Sequence, residues 1–323
     1  MPNSNLLVPG TGGITLMDNT GKDIGWPVMM RLRGIIHGLS GQSDQHLGEL
    51  ISMEHRPGQI APVKTSLLPG TSLAPGHVLD VAYNQMKPGF NHFLYDWRAD
   101  LRYSAAQLKD FIVQRRPNNG KWNLIGHSQG GLIIILASNM FASTTEFADF
   151  VTTATLVAAP IAGTLNTAEA FILGNNAGQR LAPVMRHAIR TRPGIYQMLP
   201  AWQSVLRADG SVAAASRQLN QSGGWPGLGD IQSDLLLRAR EVQQDLQNPI
   251  GNMDGVDVRF YFAQNRKTNS SIRRPSSGPM LWDPVATENG DTLVPYRTTR
   301  VQNGGGRLLP SHPSSPPPVS HTR

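Results

Sequence analysis

Cysteine is absent from this 323-residue chain, which excludes disulfides, thiolate zinc sites, iron–sulfur clusters and a cysteine nucleophile. The absence is neutral about compartment, because a protein without thiols suits either redox poise. Charge is also sparse. Asp, Glu, Lys and Arg make up 16% of the residues, too few for a charge-dense disordered protein. No stretch approaches the roughly 18 consecutive apolar residues of a membrane-spanning helix. The first ten residues carry neither a basic n-region nor a long apolar h-region, so a soluble chain without a signal peptide is expected. Localisation stays open, an already processed export signal included. A long basic stripe is missing too. The net charge is +7, but the arginines fall in separate pairs such as Arg31/Arg33, Arg115/Arg116 and Arg273/Arg274. That scatter argues against nucleic acid as a partner. It leaves an ordinary basic soluble protein, or one drawn peripherally to an anionic lipid surface.

What is abundant is glycine and proline, 33 and 24 residues, together above their usual share of about 12%. Many tight turns are therefore expected. Between the turns, apolar runs alternate in type. Asn5–Val8 reads as a buried strand ending in the loop Pro9-Gly10-Thr11-Gly12-Gly13, and Phe93-Leu94-Tyr95 as another strand before Asp96-Trp97-Arg98. Leu108, Phe111 and Ile112 have helical spacing, predicting a helix from about Ser104 to Arg116, stopped by Pro117. Lys121–Ile125 predicts a strand, Leu132–Met140 a buried helix, Thr153–Ala159 a strand and Val256–Ala263 a further, alternating strand.

This alternation predicts an α/β fold with a doubly wound, mostly parallel sheet. The stretch 163–246 breaks the pattern and is mostly helix-like, so it reads as a helical cap inserted into a core made of 1–162 and 247–312. The Pro/Ser-rich segment 313–323 reads as a disordered tail.

Gly126-His127-Ser128-Gln129-Gly130 has the G-x-S-x-G spacing of a nucleophile elbow. The spacing has a steric cause: glycines two residues on either side of the serine let strand and helix backbones approach closely. The pentapeptide alone is a weak signal. Here a strand precedes it and an apolar helix-length run follows, so Ser128 is the candidate nucleophile rather than an ordinary turn serine.

A serine hydroxyl needs a base, and the base an orienting carboxylate. In α/β-hydrolase folds these follow in the order serine, acid, histidine. Three histidines follow Ser128: His187, His312 and His321. His187 lies in the cap stretch and reads as a helix-surface residue, and His321 is the third residue from the end. Elimination selects His312, with His321 left open. For the acid, Asp291 in Asn289-Gly290-Asp291-Thr292-Leu293-Val294-Pro295 is preferred over Glu288 and Asp283. Two backbone donors are expected for the oxyanion: the N–H of Gln129, directly after the nucleophile, and that of Thr11 in the glycine-rich loop. The loop lacks the lysine of a phosphate cradle and a full dinucleotide fingerprint, so nucleotide binding is rejected. His37, His46 and His55 recur at ninefold spacing but lack an i, i+4 pair or convergent carboxylates. They read as loop histidines, and no metal or cofactor is expected.

Leu6-Leu7-Val8-Pro9-Gly10-Thr11-Gly12-Gly13, Tyr95-Asp96-Trp97-Arg98, Gly126–Gly131 and Gly290-Asp291-Thr292-Leu293-Val294-Pro295 together resemble, in that order, the lecithin:cholesterol acyltransferase-like lipase branch of the α/β-hydrolases. The Tyr-Asp-Trp-Arg segment is the most family-specific of these and the elbow the least. The resemblance implies Ser128 as nucleophile, Asp291 as acid, and donors at Thr11 and Gln129. It also implies a structural ion pair between Asp96 and Arg98. The expected activity is that of a serine esterase or lipase working through an acyl-enzyme. The rivals are a lipid O-acyltransferase with the same triad and a non-catalytic binding protein on the same fold. Tyr196, Leu199 and Trp202 in the cap are candidates for lining an acyl-chain groove, or simply for packing the cap onto the sheet.

Overall fold

A computed structural model describes residues 3–11, 13–18, 60–65, 89–118, 120–174, 182–246, 253–262, 265–287, 289–290 and 294–295. In chain order its elements begin with β1 (Ser4–Val8), β2 (Ile14–Asp18), β3 (Ile60–Thr65), β4 (Phe90–His92) and α1 (Leu101–Gln114). Then come β5 (Trp122–His127), α2 (Gln129–Ser138), α3 (Thr144–Phe150) and β6 (Val151–Val157). The stretch from residue 163 contributes α4 (Asn166–Leu173), α5 (Ala182–Arg190), α6 (Pro193–Tyr196), β7 (Val205–Leu206) and α7 (Ser233–Asp245). The last elements are β8 (Asp257–Tyr261), β9 (Thr268–Arg273) and β10 (Pro284–Thr287).

The central sheet has the order β4-β1-β5-β6-β8, and every pair in it is parallel. This is the α/β, doubly wound architecture that the alternating runs predict. Parallel strands covered on both faces read as continuous apolar runs. Leu6, Leu7 and Val8 are accordingly inaccessible to solvent. At the outer strand β8 the pattern changes to alternation: Val258 and Phe260 are partly buried against the core, while Asp257, Arg259 and Tyr261 are exposed.

The α2 helix follows the elbow, and all ten of its residues are buried. It packs on β1, β5 and β6 and against α1. A helix apolar all round can only be a core helix. The α1 helix shows the complementary case. It buries Leu101, Ser104, Ala105, Leu108 and Ile112 on one stripe. It starts three residues earlier than the apolar spacing predicts, because the Asp100 carboxylate accepts from the Arg102 N–H at 2.9 Å and caps it. The strand expected at Phe93-Leu94-Tyr95 lies three residues earlier, as β4 over Phe90–His92; Phe93 adds one more bond, from its N–H to the Leu7 carbonyl at 2.9 Å, and Leu94 and Tyr95 fall outside the strand.

Between β6 and β8 the chain is not helical throughout. β7 pairs parallel to β9, and β9 pairs antiparallel to β10, forming a small three-stranded sheet. The β9–β10 hairpin follows β8, so this sheet ties the stretch before β8 to the one after it. An aromatic cluster packs the helices of that stretch: the Phe171 ring lies 4.8 Å from Tyr196 and 5.3 Å from Trp225. The Pro/Ser-rich stretch 313–323, read as a disordered tail, lies outside the described residues.

One crossing controls the geometry. A Cβ added to Gly130 would lie 2.0 Å from the Val8 carbonyl oxygen, so α2 passes directly over the end of β1. Backbone on both sides leaves no flexible group to yield. Gly130→Ala is expected to destabilise the protein by about 4 kcal/mol or more, at the severe end for single substitutions. Urea unfolding of the purified variant measures this, and wild-type stability would refute the tight crossing.

Candidate active site

The strand order reverses at β1. The chain leaves β1 for β4 on one side, crosses through α1, and then adds β5, β6 and β8 on the other. In open α/β sheets such a switch point opens a crevice at the carboxyl ends of the two diverging strands. The loop after β1 carries Gly10 and Thr11, and the turn after β5 carries Ser128. The fold thus delivers three sequence-predicted residues, Thr11, Ser128 and Gln129, to one place. A Cβ on Gly10 would sit 2.9 Å from Ser128 Cβ and 3.0 Å from the His127 carbonyl oxygen. The loop therefore rests directly on the elbow.

Ser128 has φ 52° and ψ −122°. Its N–H donates to the Val157 carbonyl at 2.8 Å, finishing the ladder to β6, and its own carbonyl accepts from the Gly131 N–H at 3.0 Å. A non-glycine residue at positive φ costs of order 1–3 kcal/mol and persists only where its surroundings over-determine it. Those surroundings are the glycines of the elbow. A Cβ on Gly126 would lie 2.7 Å from Gly131 Cα, and one on Gly131 would lie 2.6 Å from Ala159 Cβ. Ala158 is also at positive φ, 49°. Strain is thus concentrated at the carboxyl ends of the adjacent strands β5 and β6. Ser128 is only partly buried, so its hydroxyl is within reach of the crevice. The first N–H groups of α2 follow immediately, without partners in their own helix and at the positive end of its dipole.

The Gln129 side chain, fully buried, was not singled out by sequence reasoning. Its Oε1 accepts from Thr11 Oγ1 at 3.0 Å and from the Tyr95 hydroxyl at 3.4 Å, and its Nε2 donates to the Trp97 carbonyl at 3.0 Å. The Tyr95 hydroxyl also donates to the Pro9 carbonyl at 2.6 Å. The Trp97 indole N–H donates to the Ile14 carbonyl at 3.2 Å. The Tyr-Asp-Trp-Arg segment is thereby a brace under the loop after β1.

Its two charged members pair with each other, Arg98 Nη2 to Asp96 Oδ2 at 2.6 Å, with Arg98 3% exposed. Behind them Arg192 is fully buried, its guanidinium 5.1 Å from the centre of the Trp97 ring. Burial, then the like charge of Arg98, pull the Arg192 pKa well below the ordinary arginine value, with Asp96 opposing them. A desolvated guanidinium over an indole face is worth about 2 kcal/mol.

In the stretch between β6 and β8, Tyr196 and Leu199 are inaccessible to solvent, and Trp202 is partly buried, with its indole N–H donating to the Ser270 carbonyl at 3.0 Å. The Tyr196 hydroxyl accepts from the Gln232 N–H at 3.0 Å. A cavity of about 550 Å3 opens elsewhere, among Ile172, Arg186, Leu228, Asp230, Leu281 and Trp282. None of the predicted site residues lines it. His187 is an exposed helix residue, with Nδ1 3.8 Å from Asp230 Oδ2.

Asp291, Glu288, His312 and His321 lie outside the described residues, as do Gly12 and the histidines His37, His46 and His55. What flanks Asp291 is fixed. Gly290 and Pro295 form an antiparallel bridge, the Arg266 N–H donates to the Gly290 carbonyl at 3.1 Å, and a Cβ on Gly290 would lie 2.3 Å from Thr268 Oγ1. Asp283, the other competitor, pairs at 3.9 Å with Arg273.

Residues 89–248 match the family model of lecithin:cholesterol acyltransferase. The chain is lecithin:cholesterol acyltransferase-like. The matched span runs from the strand beside β1 to the end of α7 and holds both the Tyr-Asp-Trp-Arg brace and the elbow. The family is one of acyl-transferring and ester-cleaving enzymes acting on lipids, and its fold is the α/β arrangement seen here. No curated protein matches the chain. Among the described residues, no helix is long and apolar enough to cross a membrane.

Two expectations follow from the site. Ser128→Gly relieves the positive φ while Ser128→Ala keeps it. The glycine variant should be the more stable of the two by about 1 kcal/mol, even after glycine's unfolded-state entropy. Equal midpoints in denaturant would argue against backbone strain at 128. Burial pushes the Tyr196 hydroxyl up to about 12, against the bond from Gln232. An acid held protonated by folding favours the native state only while it keeps its proton. Stability should therefore fall as pH rises from about 10 towards 12, and Tyr196→Phe should lessen that fall. Circular dichroism melts across this range measure it.

Proposed function

We propose that this chain is a serine esterase or lipase that cleaves lipid acyl esters through an acyl-enzyme on Ser128. The observation that carries the reading is the strained, partly exposed Ser128 at the sheet's switch point, with the first turn of a buried helix behind it. In the proposed cycle Ser128 Oγ attacks the ester carbonyl as His312 takes its proton. Asp291 holds the imidazole tautomer and stabilises the imidazolium. The N–H groups of Thr11 and Gln129 receive the developing oxyanion, a contribution worth about 10²–10³ in rate per donor. Collapse expels the alcohol, which takes the proton from the imidazolium. Water, activated by the same base, then attacks the acyl-enzyme and releases the acid. This chemistry calls for no metal or cofactor. Tyr196, Leu199 and Trp202 are proposed to back the acyl-chain groove as packed residues. The excess of basic side chains favours peripheral contact with an anionic lipid surface.

The matched family model, named for an acyltransferase, supports a second reading. In it a lipid alcohol replaces water in the last step and a new ester leaves. The two readings share every atom up to the acyl-enzyme, so only the products separate them.

A fluorophosphonate ester probe followed by peptide mass analysis is expected to place the adduct on Ser128, with none on Ser128→Ala. His312→Ala should lose about 10³-fold or more in kcat while His321→Ala does not, and Asp291→Asn should fall towards His312→Ala. An unlabelled wild-type protein would favour a non-catalytic binding module. Product analysis with a lipid ester, with and without a dilute long-chain alcohol, assigns the second step: free acid for the hydrolase, new ester for the transferase.

A further inference from the structure

The donor loop after β1, described at Pro9, Gly10, Thr11 and Gly13, holds a single turn bond of its own, from the Gly13 N–H to the Gly10 carbonyl at 3.0 Å, and Thr11 is exposed. Two side chains reach it from beneath. Tyr95 binds the Pro9 carbonyl, and Gln129 accepts the Thr11 hydroxyl, both as described above. Tyr95 and Gln129 also meet each other, so loop, brace and helix start form one small hydrogen-bonded ring. From the structure we infer that the Gln129 side-chain amide is a positioning residue. It sets the loop after β1 against the elbow, so that the Thr11 N–H stands opposite the Gln129 N–H. The inference rests on the acyl-enzyme reading above and adds a second duty to a residue whose backbone alone was assigned.

Three features single out the amide. Its two ends have opposite polarity, and each is used according to its chemistry: the oxygen accepts the Thr11 hydroxyl proton and a weaker share of the Tyr95 proton that goes mainly to the Pro9 carbonyl, and the nitrogen donates to a carbonyl. A carboxylate of the same shape keeps the acceptors but loses the donor, and an apolar isostere loses all three bonds. Burial is complete, so water cannot replace what is lost.

The third feature is the link onward to the cap. Gly194 packs against this amide, since a Cβ there would lie 3.0 Å from Gln129 Nε2 and 2.7 Å from the Ala99 carbonyl oxygen. The Gly194 N–H donates to the Arg98 carbonyl at 3.2 Å. Thr11 Oγ1 also lies 4.0 Å from Met198 Sδ. The loop, the brace and the start of α6 thus share one seat, and that seat is the Gln129 amide. A residue that only filled space there would be replaceable by any side chain of the same volume.

The test compares wild type, Gln129→Met and Thr11→Val with a soluble chromogenic ester, alongside fluorophosphonate labelling of Ser128. Gln129→Met keeps length and volume, and both variants keep both backbone N–H groups. A positioning role predicts that Gln129→Met lowers kcat by about 10–100-fold, less than the loss of a whole oxyanion donor, with KM changed less than about threefold. Thr11→Val should shift kcat the same way by a smaller factor. The double variant should lose less than the product of the two, because both break one hydrogen bond.

Wild-type kcat in Gln129→Met, or fully multiplicative losses, would overturn the inference while leaving Ser128 labelling and the esterase reading intact. A wild-type protein that takes no label overturns both. Should Gln129→Met unfold, the exposed Thr11→Val decides: an unchanged kcat refutes the coupling, and a lowered kcat at unchanged KM supports it.

Discussion

The near-contact of two backbones, α2 over the end of β1, is what the rest of the structure depends on. A helix can lie so close to a strand only where side chains are absent, and Gly130 supplies that absence 2.0 Å from the Val8 carbonyl oxygen. From this follow the sharp reversal between β5 and α2, the positive φ of Ser128 and the seating of Gly10 on the elbow. The hydroxyl is held where it is by the space around it. Its neighbours cannot relax without breaking the packing of a helix that is buried on every side.

A second layer of support lies below. Asp96 and Arg98 neutralise one another, Trp97 and Tyr95 hand their polar hydrogens to carbonyls of the early chain, and Arg192 closes the stack from the stretch between β6 and β8. Buried arginines are uncommon because desolvation is expensive. Here the cost is offset by an aromatic face and a carboxylate, and the result joins three distant parts of the sequence. A chain with no disulfide holds the stretch between β6 and β8 to its sheet by such means. The Phe171, Tyr196 and Trp225 cluster packs the stretch between β6 and β8 against itself with apolar area.

Much of this was readable from the amino acids. The glycine spacing about Ser128 encodes a steric requirement that is local in sequence, and buried parallel strands leave apolar runs that no surface element has. The Asp96–Arg98 pair was implied by the motif that holds it. The start of α1 was missed because its signal is a single capping carboxylate, Asp100, ahead of the apolar stripe. The β9–β10 hairpin was missed for a different reason. Thr268-Asn269-Ser270-Ser271 is polar and Pro284 opens its partner, so the pairing is imposed by tertiary contact with β7 and not by propensity. The role of the Gln129 side chain was invisible for the same kind of cause: its partners lie 118, 34 and 32 positions away. The elements that would complete a triad, Asp291 and His312, rest on chain order and elimination.

Among the described residues β8 is one of the two edge strands of the parallel sheet, the other being the short β4, and unpaired strand rims are templates for self-association. On its outward face Asp257 and Arg259 lie two positions apart and bind one another. Any second strand docking there would have to strip water from an already satisfied ion pair and gain no new partner for it. Among the described residues the sheet can thus end at β8 without inviting fibril-like growth along that rim.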